Sequence, residues 1–242
     1  MRISLVAVCC VIGCGNPSTF RPAKLPDLVV SQASMKQLVP RELLFVPGEH
    51  LVWDVQLHGM TIGRAELEVG ANTPNLEIRS RFKTDALASM VMTVSHELST
   101  IAAHGAALSS SELLATGSEN HHYEATFAGA MLTLDGVPTP VPGGNFGQTM
   151  HTAIGVLRSW AAPDAHPGFV VVVSMGQLYR IDVMRPTVED LQGTRTLRID
   201  GRIRAKQPIT LVMWLAETPD RTPLRIELSD EDFHITADLV RA

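Results

Sequence analysis

Leu51-Val52-Trp53-Asp54-Val55-Gln56-Leu57 sets Leu51, Trp53, Val55 and Leu57 on one side and Val52, Asp54, Gln56 and His58 on the other. Successive side chains of a strand point to opposite faces, so this period of two predicts a strand with one face buried. The same period returns at Ala65, Leu67 and Val69, at Leu76, Ile78 and Phe82, at Leu197, Ile199 and Ile203, and at Leu224, Ile226 and Leu228. Phe169 to Val173 and Ile209 to Leu215 are apolar at every step or nearly so, which predicts strands covered on both faces. Strands do not alternate with helices as they do in a parallel α/β chain. The expected fold is mostly all-β: a large curved antiparallel sheet, open and barrel-like, of about ten or eleven strands with one or two helices packed on it.

The first hairpin has a register problem. A two-residue His58-Gly59 turn would pair Leu57 with Met60 and set Trp53 opposite Arg64, breaking the shared apolar face. A three-residue His58-Gly59-Met60 loop, or a bulge at Gly63, restores it. One segment predicts a helix, Gln148 to Ala161. There Met150, Ala153, Ile154, Leu157 and Ala161 form one apolar stripe, with Thr149 as N-cap. Asp85 to Met92 reads either as a short helix or as continued strand. The Gly/Pro-rich stretch Gly136 to Gly147 is expected to break any strand and to act as a hinge before the helix.

The chain of 242 residues suits one domain, expected over residues 49–242. Before it, Pro17, Pro22, Pro26, Pro40 and Pro47 mark a tether over residues 14–48, with one short ordered piece around Leu28 to Leu38. All three cysteines, Cys9, Cys10 and Cys14, lie near the start. Arg2 followed by the apolar run Ile3 to Val11 has the order of a secretory signal, expected over residues 1–13. Val11-Ile12-Gly13-Cys14 resembles the lipobox of bacterial lipoproteins, in which the cysteine is acylated and becomes the mature N-terminus. A membrane span would need about 20 apolar residues, and Asn16, Pro17 and Ser18 come too early for that. The remaining alternative is a first buried strand with Cys14 as a core residue. Cleavage before Cys14 removes Arg2, leaving 20 − 1 = 19 basic against 25 acidic residues, a charge of −6. A weakly acidic chain lacks the basic footprint for nucleic acid, so none is expected as a partner. Acyl chains on Cys14 would bind the membrane without a basic face. Gly15 after the cysteine, by the enterobacterial sorting convention, predicts the outer membrane, with the body facing the periplasm.

Three segments together resemble the bacterial family of domain of unknown function 3108 (DUF3108). Pro47 to Val55 through Gly63 to Leu67 is similar to its opening hairpin. His151 to Trp160 is similar to its mid-domain helix, with Leu157-Arg158 at the helix end. Val212-Met213-Trp214-Leu215 through Arg221 to Ile226 is similar to its closing hairpin. The resemblance implies an envelope protein with a curved antiparallel sheet, and it carries over no catalytic residue.

The candidate chemistry is sparse. His121, His122 and Glu124 are the densest metal-capable group, but adjacent strand residues face opposite ways, and two ligands fall short of a zinc site. Val173-Ser174-Met175-Gly176 lacks the first glycine of a hydrolase elbow. Asp230-Glu231-Asp232 reads as turn chemistry. No catalytic residue, metal or cofactor is expected. Trp53, Trp160 and Trp214 are core fillers or the lining of an apolar cavity. An apolar pocket is expected at Trp53, Leu67, Ile154, Leu157 and Trp214, with the helix as its lid. The expected function is a non-enzymatic outer-membrane lipoprotein that binds or chaperones lipid or other apolar envelope components. The alternatives are a scaffold holding another envelope protein at its sheet edges, and an envelope hydrolase.

Overall fold

The computed structural model describes residues 35–39, 42–70, 75–144 and 146–240. Cys14, the expected signal and most of the expected tether lie outside those residues. The period-two segments all become strands, and among the described residues seventeen strands form one sheet. A short β1 (Lys36–Gln37) precedes a long antiparallel meander. That meander runs through β2 (His50–Leu57), β3 (Met60–Val69), β4 (Leu76–Thr84), β5 (Val94–Ala103) and β6 (Ala106–Thr116). It continues through β7 (Glu119–Ala128), β8 (Met131–Leu134) and β9 (Val137–Pro140). A one-turn helix, α1 (Ala86–Ser89), links β4 to β5. β10 (Gln148–Thr149) leads into helix α2 (Met150–Trp160). The second meander is β11 (Gly168–Ser174), β12 (Gln177–Val183), β13 (Thr187–Leu191) and β14 (Thr194–Arg204), then β15 (Ile209–Ala216), β16 (Pro223–Ser229) and β17 (His234–Leu239).

The two meanders join where β17 pairs with β2, setting Leu239 beside Trp53 and Ile235 beside Leu57. β12 and β13 pair with the same strand, β14, at its opposite ends. β1 and β10 add parallel pairs to β11. The strand count exceeds the sequence expectation because several of these pieces are only two to five residues long. Val137–Pro140 corrects a specific expectation: this Pro-containing piece does form a strand, β9, paired among the described residues with β8 on one side only. Proline is tolerated there because an edge strand needs no second set of amide donors.

The first hairpin uses both a two-residue turn and a bulge. His58 and Gly59 have φ of 50° and 79°, the left-handed pair of a tight hairpin turn. Leu57 pairs with Met60, yet Val55 pairs with Gly63, leaving Ile62 as the extra residue. Trp53 therefore faces Ala65 as the apolar pattern requires. Glycine is needed at the bulge, because a Cβ on Gly63 would stand 2.2 Å from the Lys83 carbonyl oxygen. The three-residue loop does not form.

The sheet rolls up so that its two ends overlap. Val170 and Val172 of β11 face the main core with Leu197, Ile199, Met213 and Leu215. Phe169, Val171 and Val173 face the other way and pack under Ala125, Leu132 and Val141 from the β7–β9 end. β11 is thus buried on both faces, as its unbroken apolar run predicted.

Helix α2 does not lie over a pocket as a lid. His151, Thr152, Ala153, Gly155, Val156, Leu157 and Arg158 are all buried, so the helix is covered almost all round. One side meets the sheet's inner face; the other meets residues 43–45, where the Leu44 amide donates to the Gly155 carbonyl at 3.2 Å. A Cβ at Gly155 would come 2.5 Å from the Phe45 ring, so a glycine lets this segment close over the helix. Residues 35–39 and 42–48, expected as tether, are therefore docked on the body. Thr149 caps the helix as predicted, and its capping box is completed by Thr152.

Candidate functional site

The expected pocket residues do not line one space. Trp53 and Leu67 belong to one apolar cluster, with Leu51, Val69 and Ile78. Leu157, with Ile154 packed beside it, belongs to the main core. Trp214 is on the opposite face of the sheet, and this is the clearest correction. Leu211, Met213 and Leu215 of β15 point inward, so Trp214 between them points out. Its indole N–H donates to Glu189 Oε1 at 2.8 Å, and the Arg198 guanidinium lies 5.4 Å from its ring centre. The indole bond, then Arg198, holds the Glu189 carboxyl below the usual carboxylate range.

A polar seam crosses the otherwise apolar interior where the helix N-terminus meets β4, β5 and β6. His151 Nε2 is 2.7 Å from Ser80 Oγ, and its Nδ1 is 3.0 Å from Thr100 Oγ1. Thr100 in turn donates to Thr149 Oγ1 at 3.1 Å. A neutral ring with its proton on Nδ1 satisfies this chain: Ser80 donates to Nε2 and Thr100 accepts from Nδ1. Burial pushes the His151 pKa down to about 3, with neighbouring His96 adding to the effect. Further along, Glu112 is buried and lies 2.7 Å from His96 Nε2. It also accepts from Ser174 Oγ at 3.0 Å and from the Met175 amide at 2.6 Å. Glu112 thereby ties β6 to the β11–β12 turn, where the roll closes.

Ser80 and His151 resemble a nucleophile and base only in part. The third group is a neutral threonine hydroxyl, which cannot balance an imidazolium as a carboxylate does. A histidine with so low a pKa is a poor proton acceptor near neutrality. The seam's geometry fits a lock between helix and sheet. Ser174, from the nearest match to a hydrolase elbow, is spent on Glu112.

At the helix's other end, Arg158 is fully buried. It makes two 2.8 Å bonds to the Glu49 carboxylate and donates to the Asp220 carbonyl from Nε at 3.1 Å. The Phe45 ring lies beneath it at 5.3 Å. Charge and partner are 109 residues apart in sequence. No local pattern announces such a pair, although a lone arginine inside an apolar helix is a signal that a partner must exist.

A cleft of about 440 Å³ opens at the rim between the β13–β14 turn and the ends of β16 and β17. Leu191, Leu224 and Leu239 share its lining with Gln192, Thr194 and the ion-paired Arg225 and Asp238. This mixed lining is unlike an acyl tunnel. The histidine pair lies on β7: His122 bonds Ser111 Oγ at 2.9 Å and sits 3.9 Å from Glu124, while His121 stacks near Tyr123 on the other face. Asp230 accepts from the Asp232 and Phe233 amides, the turn chemistry read from its sequence.

No family model matches the chain, and no curated protein matches it by sequence. Among solved structures, a β-barrel-like protein of domain of unknown function DUF1849 from Brucella abortus superposes with a TM-score of 0.58. It is 10% identical, over 85% of this chain and 98% of that one. A Bacteroides fragilis protein with a YmcC-like fold is 11% identical over the same shares but has a TM-score of only 0.34. At such identities the first likeness shows the fold alone: this chain has a β-barrel-like architecture.

Proposed function

We propose that this chain is a non-enzymatic, lipid-anchored protein of the bacterial envelope whose body acts as a scaffold through its outer surface. The observation that carries the reading is the filled interior. Helix α2 occupies the space that an apolar ligand would need, and its far side is closed by residues 43–45. The free edge strand β9 carries Pro138 and Pro140, which blunt the addition of a partner strand. Binding through surface side chains is therefore favoured over edge pairing. Acylation of Cys14, outer-membrane sorting and kinship with the DUF3108 family are parts of the same proposal, and they rest on the sequence motifs quoted above.

Two measurements test it. Mass spectrometry of the purified protein should find no acyl lipid held in stoichiometric amount by the body, apart from acyl chains bonded to Cys14. A lipid released by Ile154→Asp at one per chain would return the lipid-carrier reading. Cys14→Ala should leave the precursor uncleaved or release unlipidated protein from the membrane fraction. A soluble wild-type protein with an intact Met1 would end the anchor reading.

A further inference from the structure

The turn between β4 and β5 presents its apolar side chains to solvent. Leu87, Met90 and Val91 are 67%, 83% and 79% exposed, the largest such group among the described residues. The backbone that carries them is nonetheless firmly built. Asp85 Oδ1 accepts from the Ala88 amide at 2.8 Å, capping α1. Thr84 Oγ1 accepts from the Val94 amide at 3.1 Å, and Ser89 Oγ lies 3.0 Å from the same hydroxyl. Ala88 and Met92 pack inward on the core. The turn is thus amphipathic: an inner side holds it down, while polar bonds shape it so that Leu87, Met90 and Val91 project. Met60, 61% exposed at the neighbouring β2–β3 turn, adds to the same end of the roll, where the Asp85 amide bonds the Ile62 carbonyl at 2.9 Å.

A clustered apolar surface of this kind marks a contact that the free chain leaves unmade. We infer that this tip inserts shallowly into a lipid bilayer, the one that also holds Cys14. The inference rests on the lipid-anchor reading for its choice of partner. The strand pairings place the tip at one end of the roll and the point where β1 joins β11, at Gly168, at the other. The 21 residues between Cys14 and Lys36 reach at most roughly 70 Å when extended. An eleven-residue strand such as β6 or β14 is only about 36 Å long. An anchor on Cys14 therefore leaves the far tip free to meet the same membrane. Three projecting apolar side chains on a small turn suit an interface where apolar groups dip below the headgroups.

Native methionines supply the probe. Met60 and Met90 sit at the tip end, whereas Met131 and Met184, 44% and 52% exposed, sit at the other end. The full-length protein, purified and mixed with vesicles of phosphatidylethanolamine and phosphatidylglycerol, is treated with the charged oxidant chloramine-T, and sulfoxide is followed peptide by peptide. Vesicles should slow oxidation of Met90, and to a lesser degree Met60, several-fold, and leave Met131 and Met184 unchanged. Leu87→Ser with Val91→Ser should abolish that protection. Met90 oxidised as fast with vesicles as without them overturns the inference, and so does protection that needs no vesicles, which would mean a protein covers the tip. The mass of the peptide containing Cys14, from the same digest, reads the anchor separately. An unacylated Cys14 with a protected Met90 removes the anchor and keeps the tip, and an acylated Cys14 with an unprotected Met90 does the reverse.

Discussion

Trp53 on β2 and Trp214 on β15 are buried to almost the same degree, at 5% and 6% exposure, by opposite means. Trp53 faces inward, packs with Leu51, Leu67, Val69 and Ile78, and donates its N–H to the Pro223 carbonyl at 3.1 Å. Trp214 faces outward, belongs to none of the three apolar clusters, and is covered by Arg198 and Glu189. In one case the fold hides a ring by closing a core over it. In the other, long charged side chains are laid across it, their stems apolar and their heads wet. Equal burial therefore does not mean equal energetic role.

The largest effect should come from the inner ring. Trp53→Ala is expected to destabilise the fold by about 3–5 kcal/mol, as removal of a large core aromatic does, measured by denaturant unfolding. Trp214→Ala should cost less, about 2–3 kcal/mol, because water can enter the vacated site and Arg198 can relax over it. Equal losses at the two sites would mean that the arginine cover behaves as a second core.

The same contrast explains what the sequence discloses. β2 alternates cleanly because one face is buried and the other is partly solvated, so parity alone assigns Trp53 to the interior. β15 is apolar at Leu211, Val212, Met213, Trp214 and Leu215, so neither parity class is marked as outer. The face of Trp214 is set by pairing, in which Arg198 and Arg225 stand beside it on the neighbouring strands. The position and cap of α2 were legible, since both depend on neighbours three or four residues away. Its enclosure was not, since the covering segment at residues 43–45 read as tether and the Glu49–Arg158 pair spans 109 residues. The polar seam was hidden for a similar reason: Ser80, Thr100 and His151 come from three elements that meet only when the sheet rolls.

An interior histidine sharpens the contrast through pH. His151 has a folded pKa lowered from 6.5 to about 3, so the unfolded chain takes up a proton at pH values where the folded one does not. Its neutral-ring contribution is complete above pH 6.5 and is lost as pH falls from 6.5 toward 3. The loss should reach about 1.4 kcal/mol near pH 5.5 and grow by a similar amount per further unit. His151→Gln should flatten this part of the stability–pH curve, even though it lowers stability at neutral pH. If the His151→Gln variant keeps the wild-type slope, the acid sensitivity has another source.

The smallest expected effect concerns the cover itself. Arg198 is held by Asp200 at 2.8 Å and by Glu189 at 3.2 Å, and its guanidinium lies 5.4 Å from the Trp214 ring centre. If the guanidinium is attracted by the ring, a double-mutant cycle of Arg198→Ala with Trp214→Ala should give a coupling of about 0.5–1 kcal/mol. Arg198→Met separates charge from covering bulk: it keeps an apolar stem over the ring while removing both the cation and its bonds to the two carboxylates. A Met variant nearly as stable as wild type, with the Ala variant clearly weaker, would make the stem's packing the dominant part. Equal losses for Met and Ala would make it the charge. High salt discriminates further, because it screens the half-exposed carboxylate bonds and leaves apolar covering intact. Trp53 has no such partner, so its cost should be insensitive to salt, and a salt-dependent loss there would end the distinction between the two rings.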